Sequence, residues 1–412
     1  MKGKSKPARF TSRAALLVLA LILVSRLLYI WHAHHPPIEG DEIAYDTLGR
    51  HLAAGRGYTY PPELLYPWQI DERGSDVPTA RRPPLFPVLL SLGYRLGIGH
   101  DGMRIVQALL ATLTAWLMYR IALRIGVGER AALLTMLALA AYKPFLDSTV
   151  TLATEGLFLP LVGASALFFL RAADGGRRHD FALSGLALGL ASLTRPVTYL
   201  VPVVYLGFLA FRRPRPWLGA AILLGAMAVA VSPWVIRNQL VFGEFQPSFT
   251  HTGFNFYMGT LDRQLSTPIT DDLQRQIRGM DEFTMDRYLA HLGVENIRRD
   301  PLHFARLMGL KALQAWFYID LETTASPTPK TLVGNGIALL ATLAGFVVLL
   351  RGRLPWRAFP LAMAGYFLVI LMLSVSGLRF SLPLMLFTSI AIGVFGDWLL
   401  DRLFARASAA RA

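Results

Sequence analysis

The chain has 412 residues, of which 54% are hydrophobic and 17% charged, and its mean hydropathy is positive, a balance that soluble domains of this length seldom show. Zero cysteines exclude a disulfide framework, thiolate zinc sites and a cysteine nucleophile. The formal net charge of +14 does not call for nucleic acid, because the cations gather at the ends of apolar stretches, where membrane topology asks for them.

In chain order, a basic leader holding Lys2, Lys4, Lys6, Arg9 and Arg13 precedes a first predicted span at about 14–31. The following WHAHHPP has no small-residue cleavage site, so the span reads as an uncleaved anchor running outward from a cytoplasmic leader. Further spans are predicted near 103–124, 130–147, 156–171, 181–194, 197–211, 217–235, 331–350, 358–375 and 380–399, about ten in all at lengths that suit a bilayer. Alternating them puts Arg124 and Arg130, Arg171 with Arg177 and Arg178, Arg212 with Arg213 and Arg215, Arg351 with Arg353 and Arg357, and Arg402 with Arg406 on the inner side. Each inner segment is then basic, as the positive-inside rule demands, and both termini are cytoplasmic. The spans 181–194 and 197–211 are short and meet at Thr194-Arg195-Pro196, which suggests half-helices around a cavity.

Two long segments, about 32–101 and 237–330, fall on the outer side. In the first, Asp41 to Ala54 carries apolar residues at Ile43, Ala44, Leu48 and Leu52, the pattern of a short amphipathic helix at the membrane surface. Leu85 to Leu96, behind Arg81-Arg82-Pro83-Pro84, reads as another, with its prolines where a missing N–H costs least. In the second segment, Ser248 to Leu261 is rich in aromatic residues and glycine, and Asp300-Pro301 opens a helix to about Tyr318. The chain therefore divides into a transmembrane module over 1–236 that includes the first outer loop, an outer loop over 237–330, and closing spans with a basic tail over 331–412.

Ionised carboxylates are costly near hydrocarbon and serve as general bases or metal ligands, so Asp41 and Glu42 at a membrane exit are candidate catalytic residues. A solvated helix cap is the alternative, against which the pair coincides with a membrane exit and opens an amphipathic helix that would hold it beside the bundle. Glu155 is the second acid, placed at an outer loop between two spans. Arg82, Arg195, Arg237 and Arg379 all fall on the outer side, where the positive-inside rule gives them no role. A lipid phosphate supplies one, since guanidinium binds phosphate in a bidentate fork. Tyr45, Arg81, Asn238, Asn255 and Tyr257 are further candidate substrate contacts, and Phe254, Phe256 and Tyr257 could stack on a sugar or form an interfacial belt. His32, His34 and His35 invite a metal reading, which interfacial position explains as well. Nucleotide-binding glycine motifs are missing, so a cytosolic nucleotide sugar is not the expected donor.

Together, GDEIAYDTLGRHLAAGRGY, RRPPLFPVLLSLGYRLG with RIVQALLATLTAWLMYRIA, TLATEGLFLP, GLALGLASLTRP, SPWVIRNQLVFGEFQPS with FNFYMGT, and GLRFSLPLM resemble the membrane-embedded GT-C glycosyltransferases of glycosyltransferase family 39. The likeness is to the bacterial branch described as dolichyl-phosphate-mannose-protein mannosyltransferase-like, and it runs over most of the chain. It implies an all-α polytopic bundle with outer juxtamembrane helices, a polyprenyl-phosphate-linked sugar as donor, and transfer with inversion to an acceptor hydroxyl of a cell-envelope glycan, lipid or protein. It also implies an inner-membrane site open to the periplasm, with Asp41 in the place of the catalytic acid, Glu42 as its usual neighbour, Glu155 as the second acid and Arg82 at the donor phosphate. Arg81 departs from the pattern: in the aminoarabinose transferases an acid precedes the basic residue and can help coordinate a metal. A divalent cation is therefore an open question for this sequence. The chain also lacks the large luminal sugar-binding domain of the protein mannosyltransferases. A transporter or flippase for an anionic lipid-linked substrate, and a ligase using a diphosphate-linked glycan, are the competing classes.

Overall fold

Apolar runs that must satisfy every backbone group internally fold as helices, and the computed structural model is correspondingly an all-α membrane bundle. It describes residues 12–33, 36–64, 75–210, 216–262, 270–317, 328–352, 355–375 and 377–409. The leader lysines, Arg9, His34, His35, the Arg212–Arg215 cluster and Arg353 lie outside these residues.

The helices are α1 (Arg13–His32), α2 (Asp41–Ala53), α3 (Leu85–Arg95), α4 (His100–Arg124), α5 (Glu129–Ala140), α6 (Lys143–Asp147), α7 (Glu155–Ala173), α8 (Arg178–Ser192), α9 (Val201–Ala210), α10 (Pro216–Phe242), α11 (Thr252–Met258), α12 (Asp271–Ile277), α13 (Glu282–Arg299), α14 (Pro301–Phe317), α15 (Pro329–Leu350), α16 (Phe359–Leu373) and α17 (Leu382–Ala409). Two short strands, β1 (Thr59–Tyr60) and β2 (Val77–Pro78), pair antiparallel between α2 and α3. Among the described residues, seven helices are long and apolar enough to cross a membrane, those built on α1, α4, α7, α10, α15, α16 and α17.

The remaining expected spans are shorter. The stretch near 130–147 is two helices, α5 and α6, because Pro144 offers no N–H to the carbonyl of Ala140 and its ring would collide there. The stretches near 181–194 and 197–211 form α8 and α9, broken where Thr194-Arg195-Pro196 leaves the helix. That break puts Arg195 into the cavity described below.

Helix α7 packs on α4 and α8, α8 on α10, and α17 on α5, α15 and α16. Lipid tails are as apolar as leucine, so close backbone contact must supply much of this association. Gly185 and Gly189, four apart on α8, allow it: a Cβ on Gly185 would stand 2.1 Å from the Leu223 carbonyl oxygen of α10. Gly185→Ala is expected to cost about 1 to 3 kcal/mol by forcing the helices apart. A lowered melting midpoint in detergent, with Gly207→Ala unchanged as control because its Cβ meets nothing, is the check.

The two long segments that join the apolar helices are stitched together over one end of the bundle. Glu282, at the start of α13, accepts the Ala80 N–H at 2.6 Å and the Thr79 hydroxyl at 2.9 Å. Arg237, near the end of α10, donates to the carbonyls of Thr79 (2.9 Å) and Tyr58 (3.2 Å). The Tyr58 hydroxyl in turn donates to the Arg82 carbonyl at 2.9 Å. Residues 79–82 are thereby held by both long segments and α10.

Candidate active site

At the end of the bundle covered by these segments lies a cavity of about 500 Å³. The sequence brings Asp41 to it through a tight entry: Gly40 sits at φ +54°, a left-handed conformation that costs a side chain but not glycine, and the next residue opens α2. Asp41 is clasped by two arginines. Arg82 Nη2 donates to its Oδ1 at 2.7 Å, and Arg379 Nη2 donates to its Oδ2. Burial alone would raise the Asp41 carboxyl, but Arg82 and then Arg379 outweigh it and hold the group down at about 2.

A second charge pair faces the same space. Arg195 Nη1 donates to Glu155 Oε1 at 2.8 Å, with the Glu155 side chain only 5% exposed. Phe380 lies between the two systems, its ring centre 4.9 Å from the guanidinium carbon of Arg195 and 4.9 Å from that of Arg379. Such cation–π contacts stiffen arginines without neutralising them. Among the described residues lining the cavity, three arginines face two carboxylates, which leaves one net positive charge. Much of the remaining wall is apolar, with Val197, Phe367, Ile370, Leu371 and Val375.

Of the residues singled out from the sequence, Asp41, Tyr45, Arg82, Glu155, Arg195, Asn255 and Arg379 line this cavity. Five others are placed elsewhere. Glu42 turns toward the loop before α7, where its Oε2 accepts the Leu152 N–H at 2.9 Å. Arg237 is spent on backbone carbonyls and on Asn238 Oδ1, and Asn238 Nδ2 donates to Gln246. Arg81 reaches the Leu64 carbonyl and the Tyr60 ring. Tyr257 packs among Leu273, Met285 and Leu289 on the α12–α13 side. Consecutive residues of a helix point 100° apart, so Asp41 and Glu42 cannot share one target.

The sequence reading missed His251 and Lys311. His251 lines the cavity, is 7% exposed and stacks on Phe254 at 4.3 Å; a lone histidine in an aromatic run was the available signal. Burial, then Arg82 and Arg81, push its imidazole well below the ordinary range against the pull of Asp41, so it is neutral. Lys311 is fully buried on α14 and donates to the carbonyls of Gly259 (2.5 Å), Ser374 (2.9 Å) and Met372 (3.2 Å). It ties the end of α11 to the end of α16, two walls of the cavity.

Asp286 of α13 supports α11 from behind, accepting the Phe254 N–H at 3.1 Å. Burial pushes its carboxyl up to about 6, against the backbone N–H groups of Phe254 and Gly253 and the charge of Arg287. A folded value above the unfolded one of roughly 4 means that its stabilising contribution is fully present below about pH 4 and is lost as pH rises through 6. Asp286→Asn keeps an acceptor without a charge. That variant is expected to flatten the stability change between pH 4 and 7 by on the order of 2 kcal/mol, read as melting midpoints across that range.

The residues offer a divalent cation little: both Asp41 oxygens are taken by arginines, and the described residues hold no cluster of three or more histidine, aspartate or glutamate side chains. No chemical step is therefore routed through a metal.

Residues 81–236 match the model of a family described as dolichyl-phosphate-mannose-protein mannosyltransferase. Across the whole molecule, the fold resembles the oligosaccharyltransferase of Archaeoglobus fulgidus in its apo form, with a TM-score of 0.62 at 14% identity over 96% of this chain and 52% of the other. The archaeal enzyme AglB of the same organism, in complex with an inhibitory peptide and a dolichol-phosphate, gives a TM-score of 0.61 at 15% identity over 97% and 52%. A protein of Aquifex aeolicus of undescribed activity is 28% identical over 168 residues, 40% of this chain and 34% of its own length. The chain thus spans about half the length of these solved structures and a third of that relative.

Proposed function

From the GT-C glycosyltransferase fold that this chain carries, we propose that it is an integral-membrane glycosyltransferase that moves a sugar from a polyprenyl-phosphate donor to an acceptor hydroxyl. The observation that carries the reading is the carboxylate held between two arginines in a cavity with one net positive charge and a largely apolar wall. A lipid-linked sugar phosphate is a phosphodiester with a single negative charge, which that surplus matches; a diphosphate-linked donor would leave the cavity net negative. The apolar residues of α16 suit the first isoprene units. Residues 81–236 lying within a mannosyltransferase-type match, and AglB binding a dolichol-phosphate, add support from proteins of like fold.

In this mechanism the donor phosphate oxygens take over the Arg82 and Arg379 guanidinium groups, and Asp41 is released as their partner. The freed carboxylate then accepts the acceptor's hydroxyl proton. The acceptor oxygen bonds to the anomeric carbon from the face opposite the phosphate, and the carbon–oxygen bond to phosphate breaks with its electrons passing to the phosphate. The arginines hold that developing charge. The anomeric configuration inverts, and the lipid phosphate leaves without needing a proton. Alternation of the basic loops supports an outer, periplasmic position for this site at the inner membrane.

The test is transfer or slow hydrolysis of radiolabelled polyprenyl-phosphate sugars by the purified chain in liposomes. Turnover of one donor in the panel supports the reading. Indifference to all of them, with turnover of a diphosphate-linked glycan or net movement of lipid across the bilayer, would replace it by one of the competing classes.

A further inference from the structure

The cavity is divided by chemistry. Its charged groups come from α2, the turn before α3, the start of α7, the break after α8 and the approach to α17. The segment 249–256 contributes only uncharged side chains, among them Phe249, His251, Phe254 and Asn255. His251 is more than nine-tenths buried, yet its Nδ1 has no hydrogen-bond partner among the described residues. A buried imidazole nitrogen without a partner is destabilising, a penalty that is tolerated where a ligand removes it. Asn255 stands four residues further on, one turn along the same helical face, with its backbone N–H on the His251 carbonyl at 3.1 Å.

We propose that His251 and Asn255, backed by Phe254, form the wall that recognises the sugar ring of the donor. The proposal rests on the lipid-linked donor reading above and adds where its glycosyl group sits. Sugar hydroxyls both donate and accept, so either tautomer of a neutral imidazole finds a partner in one, and the Asn255 amide supplies one donor and one acceptor edge. A phosphate would gain no charge from these neutral groups and is better matched by the arginines, whereas a sugar hydroxyl uses their donors and acceptors together. The arginines and the 249–256 wall thus divide one substrate: phosphate to the charged groups, glycosyl to the uncharged ones. Phe254 stacks on the imidazole and fixes its plane, which limits the ring hydroxyl positions that can be satisfied.

The experiment is binding of two short-chain lipids to the full chain in nanodiscs: a polyprenyl-phosphate hexose, and the matching polyprenyl methyl phosphate, which keeps the diester charge and lacks the sugar. His251→Phe preserves a stacked ring without nitrogens. It is expected to weaken the hexose lipid by about tenfold and the methyl diester by less than twofold, and Asn255→Leu is expected to act in the same direction. Equal weakening of both lipids would mean that His251 merely supports the cavity, and no weakening of either would mean that the sugar lies elsewhere; each overturns the inference. Failure of the wild type to bind either lipid overturns the donor reading itself, which is a separable result. Because His251→Phe could perturb the packing of a buried site, the half-buried Asn255 gives an independent variant on the same wall.

Discussion

Asp41→Asn is expected to lower turnover by about 10²- to 10⁴-fold while leaving donor affinity intact or raising it severalfold. The two signs come from one geometry. In the resting cavity Arg82 and Arg379 each donate a hydrogen bond to Asp41, so an incoming phosphate competes with the carboxylate for those donors. Asparagine is nearly isosteric but uncharged, so it competes less well for the guanidinium groups and cannot take a proton from a hydroxyl. A simple cap or scaffold residue would instead lose affinity and turnover together, or neither. Single-turnover kinetics beside equilibrium binding of the same donor separates these cases. The resting carboxyl at about 2 adds a constraint on pH: it remains ionised throughout any practical assay range. The acid limb of kcat/KM is therefore not expected above about pH 3 on account of this group.

Arg195→Met is expected to act first on stability, at a cost of about 3 to 5 kcal/mol, because it strands the 5% exposed Glu155 carboxylate without its guanidinium. Adding Glu155→Gln removes the orphaned charge and should recover most of that loss, since a buried pair replaced on both sides is often close to neutral. Turnover should not return with it: the double variant has one fewer carboxylate and one fewer arginine, and it lacks the fixed dipole that borders Phe380. Melting midpoints and turnover measured on the wild type, the Arg195→Met variant and the double variant decide the point. Recovery of both would make the pair a structural bolt, whereas recovery of stability alone assigns it to the chemistry.

Several parts of this site are visible in the linear chain because membrane physics singles them out. Asp41, Glu155, Arg82, Arg195 and Arg379 stand out because charge beside hydrocarbon is expensive, and the structure brings all five to one cavity. Boundaries are legible from apolar spacing and the prolines: the helix expected from Asp41 to Ala54 runs to Ala53, and that expected from Leu85 to Leu96 runs to Arg95. What a one-dimensional reading does not carry is direction. Arg237 and Arg82 are alike by composition and by predicted side, yet Arg237 is consumed by the carbonyls of Thr79 and Tyr58, contacts across 158 and 179 residues that no local pattern announces. Glu42 differs from Asp41 by one helical step and so faces another element. His251 and Lys311 are ordinary as letters; their burial and partners are made by segments distant in sequence.

The clasp on Asp41 joins residues 338 positions apart, and this has a consequence for how the protein comes into being. At the usual pace of synthesis, about 5 to 20 residues per second, Arg379 follows Asp41 by roughly 20 to 70 s. Throughout that interval the early helices hold a membrane-proximal carboxylate with half of its eventual clasp, and neither α16 nor the approach to α17 yet exists to wall the cavity. On the proposed reading, anion capture waits for Arg379 and α17 to be inserted, and ribosome-stalled nascent chains ending before Arg379 should retain no lipid phosphate, whereas those extended past α17 should.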